Sequence, residues 1–448
     1  MRRRVVITGL GTVSALGVGF GPMWEALCAG KSGLGPITRF DPSGFLCKLG
    51  GEAKEFSAKD HVPKHYRKAV KVMARDTELA VGAAKFAVED AGLITRAALG
   101  DDATGATTYP AERTGCHIGA GLIAAETDEL TSALATAVNP DTGEFDIKAW
   151  GGVGLSNLQP LWMLKYLPNM LACHVTIIHG AEGPSNTITC TDASGILSIG
   201  ESTRVIERDA ADLCFSGGAE SKLNLVGMLR LQFAGRIGDT GAQTDGSKSV
   251  LPYDASSVGV PGEAGGILTL EAETTAKARG VRQYAEIAGF AATHCGWPPY
   301  MTDTERVGAR GVLNRSLGYA IWRALNDAGL TPDDIDAIVP QAAGSPLEDG
   351  GEIGALRNVF GDRIKKIPLV TLTPNVGTCA AGSGGLMVAV AAKCLAEQKL
   401  PARIHAGRHD AMLMAGACAT KRATLNHVLV CSSSLGGQNA AVILKSII

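Results

Sequence analysis

A seven-residue segment occurs twice in this chain. Ala87-Val88-Glu89-Asp90-Ala91-Gly92-Leu93 in the first half is echoed by Ala324-Leu325-Asn326-Asp327-Ala328-Gly329-Leu330 in the second. Each copy reads as the end of a helix, with glycine just past it, where a left-handed residue closes the last turn. The elements that follow repeat in the same order. A short strand comes first, at 116–119 and again at 337–339. A strand, a small-residue turn and a helix come next, at 188–199 and again at 369–395. Each half then closes on a strand running into a Gly-Gly pair, at 213–218 and 428–437. A lone repeated heptad is weak evidence, but the shared order behind it implies duplication of one fold unit. The seam is expected between 248 and 273, giving halves 1–258 and 259–448. Strands such as Val5-Val6-Ile7-Thr8-Gly9 alternate with helical stretches such as 78–91, where Leu79, Ala80, Ala83, Ala84, Ala87 and Val88 recur at helical spacing. This alternation predicts an α/β layered fold.

Composition narrows the function classes. With 448 residues, 46% hydrophobic and 19% charged, the chain can bury a large core. Lys+Arg 42 against Asp+Glu 44 leaves a net charge of −2. That balance argues against nucleic acid or an anionic membrane surface as partner. The 11 cysteines are scattered, with no CxxC, as suits a reducing compartment. Arg2-Arg3-Arg4 before Val5-Val6-Ile7 imitates a signal peptide, but Gly9, Gly11, Gly17 and Gly19 interrupt it and no cleavage site follows. No membrane span is expected, and the expected location is cytoplasmic. Segments 101–110 and 139–152 read as exposed loops, and 222–246 as a long plain solvated connection or, alternatively, a mobile cover. His405 and His409 read as a surface pair, so no metal site is expected. His294 reads as a core residue. The turn 295–300 carries Trp297 and Tyr300 and reads as a packed loop or a partner contact.

The stretch Gly183-Pro184-Ser185-Asn186-Thr187-Ile188-Thr189-Cys190-Thr191-Asp192-Ala193-Ser194-Gly195 resembles the nucleophile region of β-ketoacyl-acyl-carrier-protein synthases. Further matches are Val6-Ile7-Thr8-Gly9-Leu10-Gly11, Gly217-Gly218-Ala219-Glu220, Pro252-Tyr253-Asp254 and Gly436-Gly437-Gln438-Asn439, so the likeness spans the whole chain. It implies a thiolase-like fold: two similar halves, each a five-stranded mixed sheet with helices, stacked as α-β-α-β-α layers. The duplication agrees with that.

The family's chemistry needs a cysteine thiolate at a strand-to-helix turn, where the helix N-terminus and backbone N–H groups assist it. It also needs two histidines and a lysine. The resemblance places the nucleophile position on Asp192, the histidine positions on Gln341 and Thr378, and the lysine position on Thr373. The two threonines that hold the phosphopantetheine amides in the family become Ala343 and Ser345. The gating phenylalanine pair falls on Ser433 and Leu435. Loss of all four chemical groups would remove the acylation site and the acid/base set together. Cys190 lies short of the helix and reads as a core cysteine. Asp192 reads either as a helix cap filling the old oxyanion hole or as a group orienting a bound thioester or water. An anionic Asp192 would repel a malonyl carboxylate by about 1–4 kcal/mol near 4 Å.

The resemblance therefore implies a degenerate homologue similar to a chain-length factor. Such a subunit pairs with an active ketosynthase through the strand at 184–191. Its ligand would be the phosphopantetheine arm of an acyl-carrier protein, with no cofactor of its own. Apolar residues of 155–171, with Met163, Leu167, Met170 and Leu171, are candidates for lining an acyl pocket or for plain helix core. Two alternatives stay open. One is an acyltransferase acting through Asp192, Cys190 or Cys379. The other is a homodimeric scaffold that binds the carrier protein without turnover.

Overall fold

The computed structural model describes residues 2–100, 105–295, 314–405 and 413–447; Trp297, Tyr300 and His409 lie outside them. The main strands are β1 (Val5–Ser14), β2 (Thr114–Ala120), β3 (Ser185–Thr189), β4 (Leu213–Ser221), β5 (Glu263–Ala272), β6 (Ala285–His294), β7 (Ala337–Val339), β8 (His427–Ser433) and β9 (Gln438–Lys445). They lie in the order β7-β8-β9-β6-β1-β5-β4-β2-β3, and the short strand Gly17–Val18 pairs with β1. The two sheets expected from the duplication are the two ends of this array. They join only where Val6 and Ile7 of β1 face Glu286 and Ala285 of β6. In the second half the fifth strand shrinks to a parallel bridge between Ile338 and Leu369. By its pairing with β1 and β4, β5 belongs to the first half.

Layering follows from the alternation of side chains along each strand. Val428 and Val430 of β8 point into one cluster, with Ile196 and Ile199 of α3 (Ser194–Glu207) and Leu386 and Val390 of α7 (Ala381–Glu397). Leu429 and Cys431 point the other way, onto Leu317 and Ile321 of the helix Arg315–Ala328. In the first half, Cys214 and Leu268 face inward, while Phe215 and Ile267 meet Leu79 and Ala83 of α1 (Arg75–Asp90). Helices α3 and α7 thus form a middle layer between the sheets, and other helices cover the outside. Close approach requires glycine at Gly11, where a Cβ would lie 1.9 Å from the Ala83 carbonyl oxygen of α1. The repeated heptad behaves as its sequence predicts: Gly92 (φ 59°) and Gly329 (φ 68°) are both left-handed at helix ends.

Two loop expectations are corrected. Within 139–152 the Asp146 side chain accepts from Lys148 N–H at 2.8 Å and caps a helical turn, Ile147–Ala149. Within 222–246 lies a helix, Leu225–Phe233, capped by the Asn224 side chain, which accepts from Gly227 N–H at 2.7 Å. Its Met228 and Leu231 are buried with Leu34 and Ile237, so apolar packing fixes a segment that its glycines suggested was loose. Cys28, Cys47, Cys116, Cys173, Cys190, Cys214, Cys379, Cys394, Cys418 and Cys431 are free thiols.

Two buried histidines give a pH prediction. His117 bonds the Ser202 hydroxyl at 3.0 Å, and His179 bonds the Thr95 hydroxyl at 2.9 Å beside the Phe215 ring. Burial pushes both imidazoles down to about 4. The unfolded chain then binds more protons below its ordinary value of about 6.5, so each histidine withdraws stability as pH falls, by about 2 kcal/mol between pH 7 and pH 5. Burial also pushes the Asp76 and Glu352 carboxyls up to about 7, which acts in the opposite sense over the same window. The expected result is therefore a difference. His179→Gln should lose about 2 kcal/mol less than the native chain between pH 7 and pH 5, by urea unfolding. Parallel pH profiles would contradict it.

Candidate functional site

At the end of β3 the chain turns sharply through Cys190 and Thr191 into α3. Thr191 has φ 49°, a left-handed conformation costing a non-glycine residue roughly 1–3 kcal/mol. Hydrogen bonds from other elements hold it there. The Cys190 N–H donates to Ser194 Oγ at 2.7 Å, and the Ser194 hydroxyl donates to the Ala120 carbonyl at 3.2 Å. The Ser434 hydroxyl donates to the Cys190 carbonyl and accepts from Ala193 N–H, the latter at 2.9 Å. Ser434 thus ties the chain just after β8 to this turn.

Asp192 is only 1% exposed. It is not the helix cap that its position suggested: no side chain caps α3, and the carboxylate turns to a cation instead. Arg236 Nη2 donates to Asp192 Oδ1 at 3.0 Å and lies 3.1 Å from Glu348 Oε1. Arg236 follows the helix Leu225–Phe233, and Glu348 sits in the first turn of α6 (Pro346–Phe360), so this pairing joins the two halves. Asp192 Oδ2 is buried with no hydrogen-bond partner among the described residues. Burial pushes the Glu348 carboxyl above its ordinary value; Arg236 opposes the rise and the charge of Asp192 adds to it.

The other sequence-selected positions form a second group. Gln341 Oε1 accepts from Ser433 N–H at 2.7 Å and from the Ser432 hydroxyl at 3.0 Å. The Gln341 N–H donates to Glu352 at 2.9 Å. Asn314 Nδ2 donates to Ser433 Oγ and to Asn439 Oδ1, both at 2.9 Å. The Thr373 hydroxyl donates to the Ala342 carbonyl, and the Thr378 hydroxyl to the Ala343 carbonyl at 3.3 Å. Ala342 (φ 45°) and Ala380 (φ 44°) are also left-handed, so strained backbone surrounds this region on three segments. Ala343 and Ser345 are buried, and Leu435 is half-buried in the turn after β8.

Two clefts open here. One is a narrow space lined by Asn314, Gln341, Ala343, Leu347, Glu348 and Ser433 among others. The other, equally narrow, is lined by Gln341, Thr373, Val376, Gly377, Ser383 and Met387 among others. Among the described residues neither lining contains histidine, lysine or cysteine. Burial pushes the half-buried Cys190 thiol up. Burial, reinforced by Glu263, Glu220 and Asp192, pushes the Cys379 thiol further up. Both thiols are therefore neutral near pH 7, the unreactive form. The arrangement offers carboxyl, amide and hydroxyl groups but no thiolate and no imidazole.

Of the expected acyl-lining residues, Leu171 is core, whereas Met163 stands 67% exposed. His405 is buried, so it does not form part of a surface pair. No group of three or more metal-ligating side chains occurs among the described residues, and no helix among them is long and apolar enough to cross a membrane. Sequence reasoning missed Arg236, Glu348 and Ser434. The only local signal was the acidic pair Glu348-Asp349 in the first turn of a helix opened by Pro346.

The family described as "Beta-ketoacyl synthase, N-terminal domain" matches residues 2–276, and "Beta-ketoacyl synthase, C-terminal domain" matches 284–407. The chain is 29% identical to 3-oxoacyl-[acyl-carrier-protein] synthase 2 of Staphylococcus aureus over 448 residues, covering 99% of this chain and 98% of that one. Among solved structures it resembles the ishigamide ketosynthase/chain length factor, with TM-score 0.80, 24% identity and 100% of both chains covered. It also resembles a chain of a type II acyl-carrier protein in complex with its ketosynthase bound to the hexaketide, with TM-score 0.77, 20% identity and 100% of both chains covered. At these identities the two structures speak for the fold, which is thiolase-like.

Proposed function

Since the chain belongs to the β-ketoacyl synthase family, we propose that it is a non-condensing, chain-length-factor-like subunit that pairs with an active ketosynthase in the cytoplasm. The observation that carries this is the corner at the tip of α3. A buried carboxylate stands there, ion-paired to Arg236, with two neutral thiols nearby. Gln341, Thr378 and Thr373 are engaged in structural hydrogen bonds and supply neither an imidazole nor an ammonium group.

The partner role has separate support. Among the described residues strand β3 ends the sheet and pairs with β2 alone, leaving one edge of backbone groups open. Large apolar side chains are also exposed in the stretch of chain between β2 and β3: Leu122, Phe145, Ile147, Val153, Leu155, Leu161 and Met163 are all exposed in the single chain. So many exposed apolar groups fit a partner surface better than a solvated one. In this reading the phosphopantetheine arm of the acyl-carrier protein is served by the ketosynthase's own site. Consistent with that, Ala343 brings no hydroxyl and Ser345 is buried.

Co-expression with its ketosynthase partner should give a one-to-one complex. The isolated chain, incubated with malonyl-acyl-carrier protein, should show no acyl adduct by mass spectrometry and no decarboxylation above background. An adduct on Asp192, Cys190 or Cys379 would favour the acyltransferase reading. A stable homodimer that ignores the ketosynthase would favour the scaffold.

A further inference from the structure

We infer that the Arg236 side chain is a plug that keeps thioesters away from the turn at Asp192. The inference rests on the non-condensing reading above and names the residue that decides it. Glu348 lines the open cleft beside Gln341 and Ser433, whereas Asp192 is sealed from solvent. A single nitrogen of Arg236 lies 3.0 Å from the Asp192 carboxylate and 3.1 Å from that of Glu348. The guanidinium therefore links a residue of the cleft wall to the turn, on the route assigned here to an acyl-pantetheine.

The backbone that carries this side chain is fixed. The Arg236 N–H donates to the Leu231 carbonyl at 3.0 Å, closing the helix Leu225–Phe233. Gly259 presses against the Arg236 carbonyl so closely that a Cβ there would lie 2.0 Å from the oxygen. The next residue, Ile237, is buried with Met228 and Leu34. A side chain anchored in this way and clamped at its tip by two carboxylates cannot swing aside without leaving both charges buried and unpaired.

The test supplies a thiol and then changes the plug. A background of Asp192→Cys with Glu348→Gln removes both carboxylates, so no buried charge is stranded by changing Arg236. In that background Arg236→Met keeps most of the volume without the charge, while Arg236→Ala opens the path. Each variant is incubated with a hexanoyl-pantetheine thioester. Exchange would move the acyl group to the introduced thiol and release the pantetheine thiol, and the acylated protein is read by mass. Circular dichroism and labelling with iodoacetamide, a smaller electrophile, establish folding and the presence of the thiol. The Arg236→Ala variant should acylate about a hundredfold faster than Arg236→Met, and than Asp192→Cys alone, in which Glu348 still holds the arginine. Equal rates in the alanine and methionine variants overturn the plug. So does rapid acylation of Asp192→Cys alone, with Arg236 and Glu348 in place, or no acylation of the alanine variant while iodoacetamide labels it. Co-purification of the unaltered chain with a ketosynthase tests the underlying reading separately.

Discussion

Arg236→Ala in the otherwise native chain is expected to cost about 3–5 kcal/mol of folding stability at neutral pH. The cost arises from what remains rather than from what is lost. Asp192 and Glu348 would stay buried near each other with no cation between them. The sign of its pH dependence follows. Burial already raises the Glu348 carboxyl against the pull of Arg236, so without Arg236 it would hold its proton to still higher pH than in the unfolded chain. Its contribution is then most favourable at low pH and is lost as pH rises through the folded value. The deficit relative to the native chain should therefore be smaller at pH 5 than at pH 8, by urea unfolding. Combining Arg236→Ala with Asp192→Asn and Glu348→Gln should recover most of it. A single-variant deficit under about 1 kcal/mol at pH 8 would mean that the pair is not the buried clamp described.

Loss of partner binding is the second large effect. Leu161 and Met163 are 75% and 67% exposed in the single chain, so Leu161→Asp with Met163→Asp should barely change its folding stability. If these residues enter a ketosynthase interface, the double substitution buries two unpaired carboxylates there. Affinity should fall by at least about a hundredfold, and the subunits should separate on size exclusion. The control is Ile94→Asp, at a residue 50% exposed outside the stretch between β2 and β3, which should leave the complex intact. Undiminished pairing by the double variant, with normal thermal unfolding, would move the interface elsewhere.

These two predictions draw on different kinds of information. The repeated heptad, Gly92 and Gly329 at the helix ends and the buried run at Val5–Ser14 announced a duplicated α/β fold because each is a local rule. Helix closure needs a left-handed residue, and a strand covered on both faces is apolar throughout. The helix Leu225–Phe233 escaped because the glycines and threonines after it dominated the composition of its segment. Its stability comes from Met228 and Leu231 meeting Leu34, a residue far away in the sequence.

What the sequence by itself determined was the layered fold, its two-fold repetition and the presence of an acid at the strand-to-helix turn. What only the tertiary structure decided was what that acid does. A helix cap would have been a local contact, satisfied by N–H groups within one turn. The actual partner, Arg236, lies 44 positions away and is shared with Glu348 from the other half of the molecule. Coulomb attraction and desolvation depend on distance through space and on exclusion of water, and the order of residues along a chain records neither.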